Sequence, residues 1–303
     1  MTPVMRVKSV MRTTLTLLLL TFAHTAWAAE RYAVSGMVLD ADPARRTFVA
    51  SIDSIPGFMA AMTMPFVVLD ANELKGVVRG AIVDFTLVIE KGSSYVEGIR
   101  IRRSQNVEQD PLVARRLSLF KELARGDAAK ALAVGQTVPD FRLTDQKYRE
   151  MTLSQLRGKV VAINFMYTTC QLPDFCLRMV NHFGVLQKRF KEQLGRELMF
   201  LTITFDPVRD RPDVLDRYAR QWNPDPDTWR FLTGPVPDVR RVLETFGVSA
   251  FANEGLMDHS LHTVLIDRNG KLAANIEGNK YTSDQLADLT REVLNKRPAA
   301  LVR

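Results

Sequence analysis

Apolar positions along the chain fall into stretches of different period. Between Arg31 and Arg103 they come in short alternating or continuous segments at 34–39, 47–52, 66–69, 81–89 and 95–101, punctuated by Gly and Pro. Five short strands at that spacing predict a small all-β, OB-like barrel over 31–104. The period then changes. Leu112, Val113, Leu117, Leu119, Phe120 and Leu123 recur at helical spacing among charged residues, which predicts an amphipathic helix ending near Gly126 within a connector over 105–134. From Gly135 onward strands and helices alternate. The run VVAINFM at 160–166 is nearly all apolar, as in a central strand covered on both faces. A second buried strand is expected at 198–205, and two more at 262–267 and 272–277, joined by a turn at Arg268-Asn269-Gly270. Segments 138–141 and 151–153 predict an opening hairpin. Pro212 can open a helix with Leu215, Tyr218, Ala219 and Trp222 inward, while Thr282 with Gln285 forms a capping box for a last helix.

Both cysteines of the chain, Cys170 and Cys176, lie just past the first central strand. On one continuous helix their six-residue offset would turn them roughly 240° apart. Pro173 is tolerated in a first helical turn but not inside a helix, so the helix is expected to begin near Pro173-Asp174, with Cys176 in its first turn and Cys170 on the loop before it. The two sulfurs can then converge. Amides at a helix start favour a thiolate, so Cys170 is a candidate nucleophile or soft-metal ligand. A structural disulfide is the alternative. A cysteine pair after the first central strand, with a closing hairpin and helix, describes an α/β thioredoxin-like domain.

The first residues change the expected compartment. Arg6, Lys8 and Arg12 precede an apolar core at 15–23 and a small-x-small site at Ala26-Trp27-Ala28, the pattern of a secretory signal cleaved near Ala28. That core is short for a membrane span, and no cysteine near the cleavage site offers a lipid attachment point, so the expected product is soluble and periplasmic, with an uncleaved membrane anchor as the alternative. Losing those three cations and no acid lowers the formal charge from +7 to +4. The balance is only mildly basic, without clustered Lys/Arg and aromatics, so nucleic acid is not an expected partner. Three histidines remain: His182, His259 and His262.

Within the first unit, Met59, Met62 and Met64 fall in six residues, and Met62 and Met64 share a face if this is a strand. Thioethers select copper(I), although most methionines are core filler. This stretch, 55–66, resembles the CusF-like copper-binding domain, which implies a copper site at Met59, Met62 and Met64. The chain has Ser51-Ile52 where that family usually carries a histidine.

In the second unit the cysteine pair is joined by the segment Thr204 to Pro212 (TFDPVRDRP), by Trp229 to Gly234 (WRFLTG) and by Asp258-His259-Ser260. In this order they resemble the Sco/SenC family of copper chaperones and thiol-disulfide oxidoreductases. The resemblance implies copper held by Cys170, Cys176 and His259. Five residues separate the cysteines where three are usual, and Gln171 stands where a proline is common. Two thiolates and an imidazole suit copper in either oxidation state, with zinc the generic competitor. His262 is the alternative imidazole, His182 is expected at the surface, and residues 206–212 are expected to form a loop that shapes the site. Three functions follow: delivery of copper to a respiratory oxidase subunit or other copper-site protein; disulfide exchange with Cys170 as nucleophile and Cys176 as resolving thiol, which needs a thiol reductant partner; or copper buffering.

Overall fold

A computed structural model of the chain describes residues 29–90, 92–102, 131–170, 173–253 and 256–296. The expected leader and the helix expected before Gly126 lie outside the described residues.

The first unit is one antiparallel sheet. Its strands are β1 (Glu30–Asp42), β2 (Thr47–Ile52), β3 (Met62–Val67), β4 (Ile82–Glu90) and β5 (Ser93–Ile101), in the order β3-β2-β1-β4-β5. A single parallel bridge between Val68 and Val96 draws its two edges toward each other. Alternation puts Val34, Val38, Phe48, Phe66, Phe85 and Leu87 on the covered face. There the rings of Phe48, Phe66 and Phe85 pack with centroids 5.0 to 5.5 Å apart.

The second unit is a seven-stranded mixed sheet in the order β14-β13-β8-β9-β10-β6-β7. At its centre β8 (Val160–Met166), β9 (Leu198–Thr204) and β10 (Trp229–Thr233) run parallel. Every residue of β8 and β9 is buried, as strands covered on both faces require. Helix α1 (Arg178–Arg189) connects β8 to β9; α2 (Pro212–Ala219) and α3 (Val236–Phe246) flank β10 in the chain. The antiparallel hairpin β13 (His262–Ile266) and β14 (Leu272–Glu277) leads into α4 (Ser283–Asn295). A βαβ half and a ββα half meeting at β8 and β13 make this a thioredoxin-like fold. The Thr282–Gln285 capping box opens α4 as expected.

The opening hairpin is displaced from its expected position. Its strands are β6 (Arg142–Asp145) and β7 (Glu150–Thr152), because Val138 donates its amide to Gly270 O at 2.9 Å and lies along the 268–270 turn instead. Two elements had no pattern signal. β10 carries Arg230 within five residues, and the separate hairpin β11 (Ala250–Asn253) and β12 (Leu256–His259) is too short to show a period.

The two units pack directly on each other. Met37, Leu39 and Ile82 of the first belong to the buried core of the second. Asp288 on α4 accepts from Ser51 Oγ at 2.8 Å and Thr63 Oγ1 at 2.9 Å, while Gln285 donates to Asp53 and Lys296 pairs with Asp40 at 2.7 Å. Gly80 permits the close approach. At φ +85° its absent Cβ would stand 3.1 Å from Ala274 and Ile276 of β14.

Candidate metal centre

Cys170, Cys176 and His259 come together where β8 ends. One ligand atom from each lies within 4.8 Å of the others, the only such group of His, Cys, Asp or Glu side chains among the described residues. The two sulfurs are not bonded to each other in the structure. Cys170 is half-buried on the loop after β8, and Cys176 is fully buried.

The local backbone differs from the expected helix start. Residues Pro173–Leu177 form one wide turn with a kink at Phe175 (φ −110°, ψ −111°), and regular helix begins only at Arg178. Cys176 therefore sits before α1 rather than in its first turn, and the kink resolves the rotation that a continuous helix would have imposed.

His259 ends β12, paired in register with Ala250, rather than standing free before a strand. Its Nδ1 lies 3.2 Å from Ser260 O, and its Nε2 lies 3.6 Å from Cys176 Sγ. A carbonyl only accepts, so Nδ1 carries the proton and Nε2 presents its lone pair to the cluster, as a metal-binding imidazole must. The rings of Phe205, Tyr167 and Phe175 surround the imidazole at 4.5, 5.8 and 6.5 Å. These rings give the imidazole an apolar wall. Burial pushes the Cys176 thiol well above its ordinary range, with the hydrogen bond to Cys170 adding to the effect. Burial also raises Tyr167, and the charge of Cys170 raises it further. A cation that replaces the thiol proton relieves both effects.

Asp210 is 1% exposed and accepts from Thr168 and Thr204, tying the loop after β9 to the loop that carries Cys170. Burial raises its carboxyl above the ordinary range despite those bonds. Next to the cluster, Phe205, Val208, Val239, Leu243 and Met257 line a cleft of about 540 Å3 whose rim carries Asp206, Arg209 and Arg240. The aromatic wall and the Asp210 anchor were missed as individual residues. Phe205 and Asp210 lie in the segment from Thr204 to Pro212, and Tyr167 and Phe175 in the stretch that carries the cysteines.

The other histidines stand elsewhere. His262 bonds Asn275 Oδ1 through Nδ1 at 2.8 Å and is not part of the cluster. His182 corrects the surface expectation: it is only 6% exposed, bonded to Ser283 Oγ at 2.8 Å and stacked on Tyr281. It faces inward because α1 turns the stripe of Met179, His182, Phe183 and Leu186 to the core.

In the first unit Met62 stands opposite Ile52 and Met64 opposite Ala50, so the two methionines share one face of β3. Met59 is bridged to Ile55 in the turn between β2 and β3, and Met59 and Met64 pack on the core of this unit. Ser51 pairs with Thr63 on the opposite face, turned toward α4.

A sequence profile described as SCO1/SenC matches residues 129–295. The SCO2-like protein RT0576 of Rickettsia typhi is 31% identical over 139 residues, covering 43% of this chain and 65% of that protein. Protein SCO1 of Saccharomyces cerevisiae mitochondria is 31% identical over 166 residues, covering 52% of this chain and 55% of that protein. The alignments thus span less than two thirds of these relatives. A solved structure of Bradyrhizobium japonicum ScoI with copper bound is 27% identical, covers 52% of this chain and 99% of that one, and has a TM-score of 0.45. Since the profile match takes in more than half of the chain and encloses Cys170, Cys176 and His259, the protein belongs to the SCO1/SenC family.

Proposed function

We propose that the protein is a periplasmic copper-binding chaperone that takes copper on Cys170, Cys176 and His259 and delivers it to a copper-site protein, foremost a respiratory oxidase subunit. The observation that carries this reading is the convergence of the two free thiols with an imidazole whose free Nε2 faces them. Two soft thiolates and one borderline nitrogen favour copper over hard cations and leave a coordination position open for a recipient's ligand. The half-buried Cys170 is the ligand a partner can reach first, and the cleft beside Phe205 and Met257 offers apolar surface next to it. Anaerobic loading of the reduced chain with copper(I) and copper(II), with stoichiometry and spectra compared across Cys170→Ser, Cys176→Ser and His259→Ala, tests it. Loading unchanged by all three substitutions would sink it.

The second reading is a thiol-disulfide oxidoreductase that reduces the cysteines of such a copper site. It is favoured by the unequal exposure of the pair, since attack needs an accessible sulfur and resolution a sheltered one. Cys170 would form the mixed disulfide and Cys176 would release the reduced substrate, leaving a Cys170–Cys176 disulfide for a thiol reductant partner. A copper-dependent spectrum lost with His259→Ala, alongside unchanged disulfide exchange, separates the two roles.

The first unit takes a subsidiary place as a CusF-like, barrel-forming module in which Met59, Met62 and Met64 hold copper(I) by thioether sulfur. Ile52 opposite Met62 supplies no ligand, so this site is the weaker of the two and suits buffering.

A further inference from the structure

The three candidate ligands sit on different elements. His259 ends the β11–β12 ladder and Cys176 lies in the turn that enters α1. Cys170 follows a strand end and three residues of loop, and its amide donates to Tyr167 O at 3.3 Å. Asp210 reaches that loop from the loop after β9. Its carboxylate accepts from the Thr168 amide at 3.0 Å, from Thr168 Oγ1 and from Thr204 Oγ1 at the end of β9. Thr204 Oγ1 in turn accepts from the Asp206 amide at 2.9 Å, and the Asp210 amide donates to Asp206 O at 2.9 Å. The nearby cation Arg209 pairs with Asp206 instead. Three donors converging on two oxygens suit a carboxylate; an amide side chain would turn its NH2 toward a donor.

We propose that Asp210 is a positioning residue for the cysteine pair. It anchors Thr168, two residues before Cys170, and so holds the Cys170 sulfur at ligand distance from Cys176 and His259 but short of a disulfide. The inference rests on the reading of these three residues as a metal site. Disulfide formation removes two electrons and two protons from the two thiols; with oxidised dithiothreitol as acceptor, the product is reduced dithiothreitol. Freeing the loop lets the sulfurs close, so loss of the anchor moves that equilibrium toward the protein disulfide about tenfold, or ~30 mV for a two-electron couple.

The test uses the full chain, with Asp210→Asn, Thr168→Val and Thr168→Ser. The dithiothreitol equilibrium is measured on metal-free protein, and the copper(II) thiolate charge-transfer band on loaded protein. Asp210→Asn and Thr168→Val are expected to favour the disulfide and shift the band, Thr168→Ser to restore both, and the double variant Asp210→Asn/Thr168→Val to add little to Asp210→Asn alone. If Asp210→Asn does not fold, the Val and Ser pair at position 168 decides. An equilibrium within twofold of wild type in the folded variants overturns the proposal, as does an equal shift in Thr168→Ser and Thr168→Val. A wild-type chain that takes no copper overturns the metal reading alone, because the thiol equilibrium is read without metal.

Discussion

His259 Nε2 stands 3.6 Å from Cys176 Sγ, across 83 residues of sequence, while Nδ1 of the same ring is committed to the carbonyl of Ser260. The tautomer is thereby set before any metal arrives, so the imidazole enters coordination without a tautomer exchange.

That arrangement separates the two neighbouring histidines. Replacing His259 with Ala should change the copper(II) spectrum and weaken binding by at least about 10-fold, whereas His262→Ala, which removes a side chain bonded to Asn275 outside the cluster, should leave the spectrum in place. Competition titration with a copper chelator measures both; a larger effect at His262 would transfer the ligand role.

Thiolates bind metal and a disulfide does not, so copper uptake at this site should require reduced Cys170 and Cys176. Titrating the oxidised and reduced full chain with copper(I), in a Met62→Ala plus Met64→Ala background, isolates the site. Equal uptake by both forms would remove the cysteines from the metal role.

The methionine site has its own check in the full chain bearing Cys170→Ser and Cys176→Ser. That chain should retain weak copper(I) uptake, and adding Met62→Ala with Met64→Ala should abolish it. If the methionine pair makes no difference, the first unit is a recognition module.

His182 sets a pH dependence of stability. Burial, helped by the charge of Arg178, lowers its pKa from 6.5 to about 4, and its ring is enclosed by Tyr281 and Ser283. The unfolded chain therefore takes up a proton between pH 6.5 and 4 that the folded chain refuses. Stability should be intact above about pH 6.5 and fall by on the order of 3 kcal/mol as the pH drops toward 4. Denaturant midpoints across that range, compared with those of His182→Leu, should show a flatter profile in the variant. Parallel profiles would mean that other groups dominate.

The contact between the units is testable at Gly80. Gly80→Ala must place a Cβ against Ala274 and Ile276 from a left-handed backbone, which should cost about 2 kcal/mol. A loss below about 0.5 kcal/mol in denaturant unfolding would show that β14 does not carry the first unit as described.

Periodicity and local chemistry were enough to read several elements from the chain alone. The apolar run of β8 and β9 can only be covered on both faces, the Asn269-Gly270 pair turns β13 into β14, and Thr282 with Gln285 starts α4. Each signal lies within a few residues, which is why it could be read. Cys170 and Cys176 announced themselves as the only cysteines, and Pro173 showed that the helix could not run through both. Tertiary structure decided the rest. The choice of His259 over His262 depends on the β11–β12 hairpin that aims one ring at Cys176, while β14 binds the other through Asn275. His182 is polar and reads as a surface residue taken alone; the apolar stripe of Met179, Phe183 and Leu186 puts it on the inner face, where Tyr281 and Ser283 supply its partners. The same holds for Ser51 and Asp288, 237 residues apart, and for Asp210 and Thr168, 42 apart. Such pairs leave no local pattern, because their partners become neighbours only after the sheets have formed and the helices have packed against them.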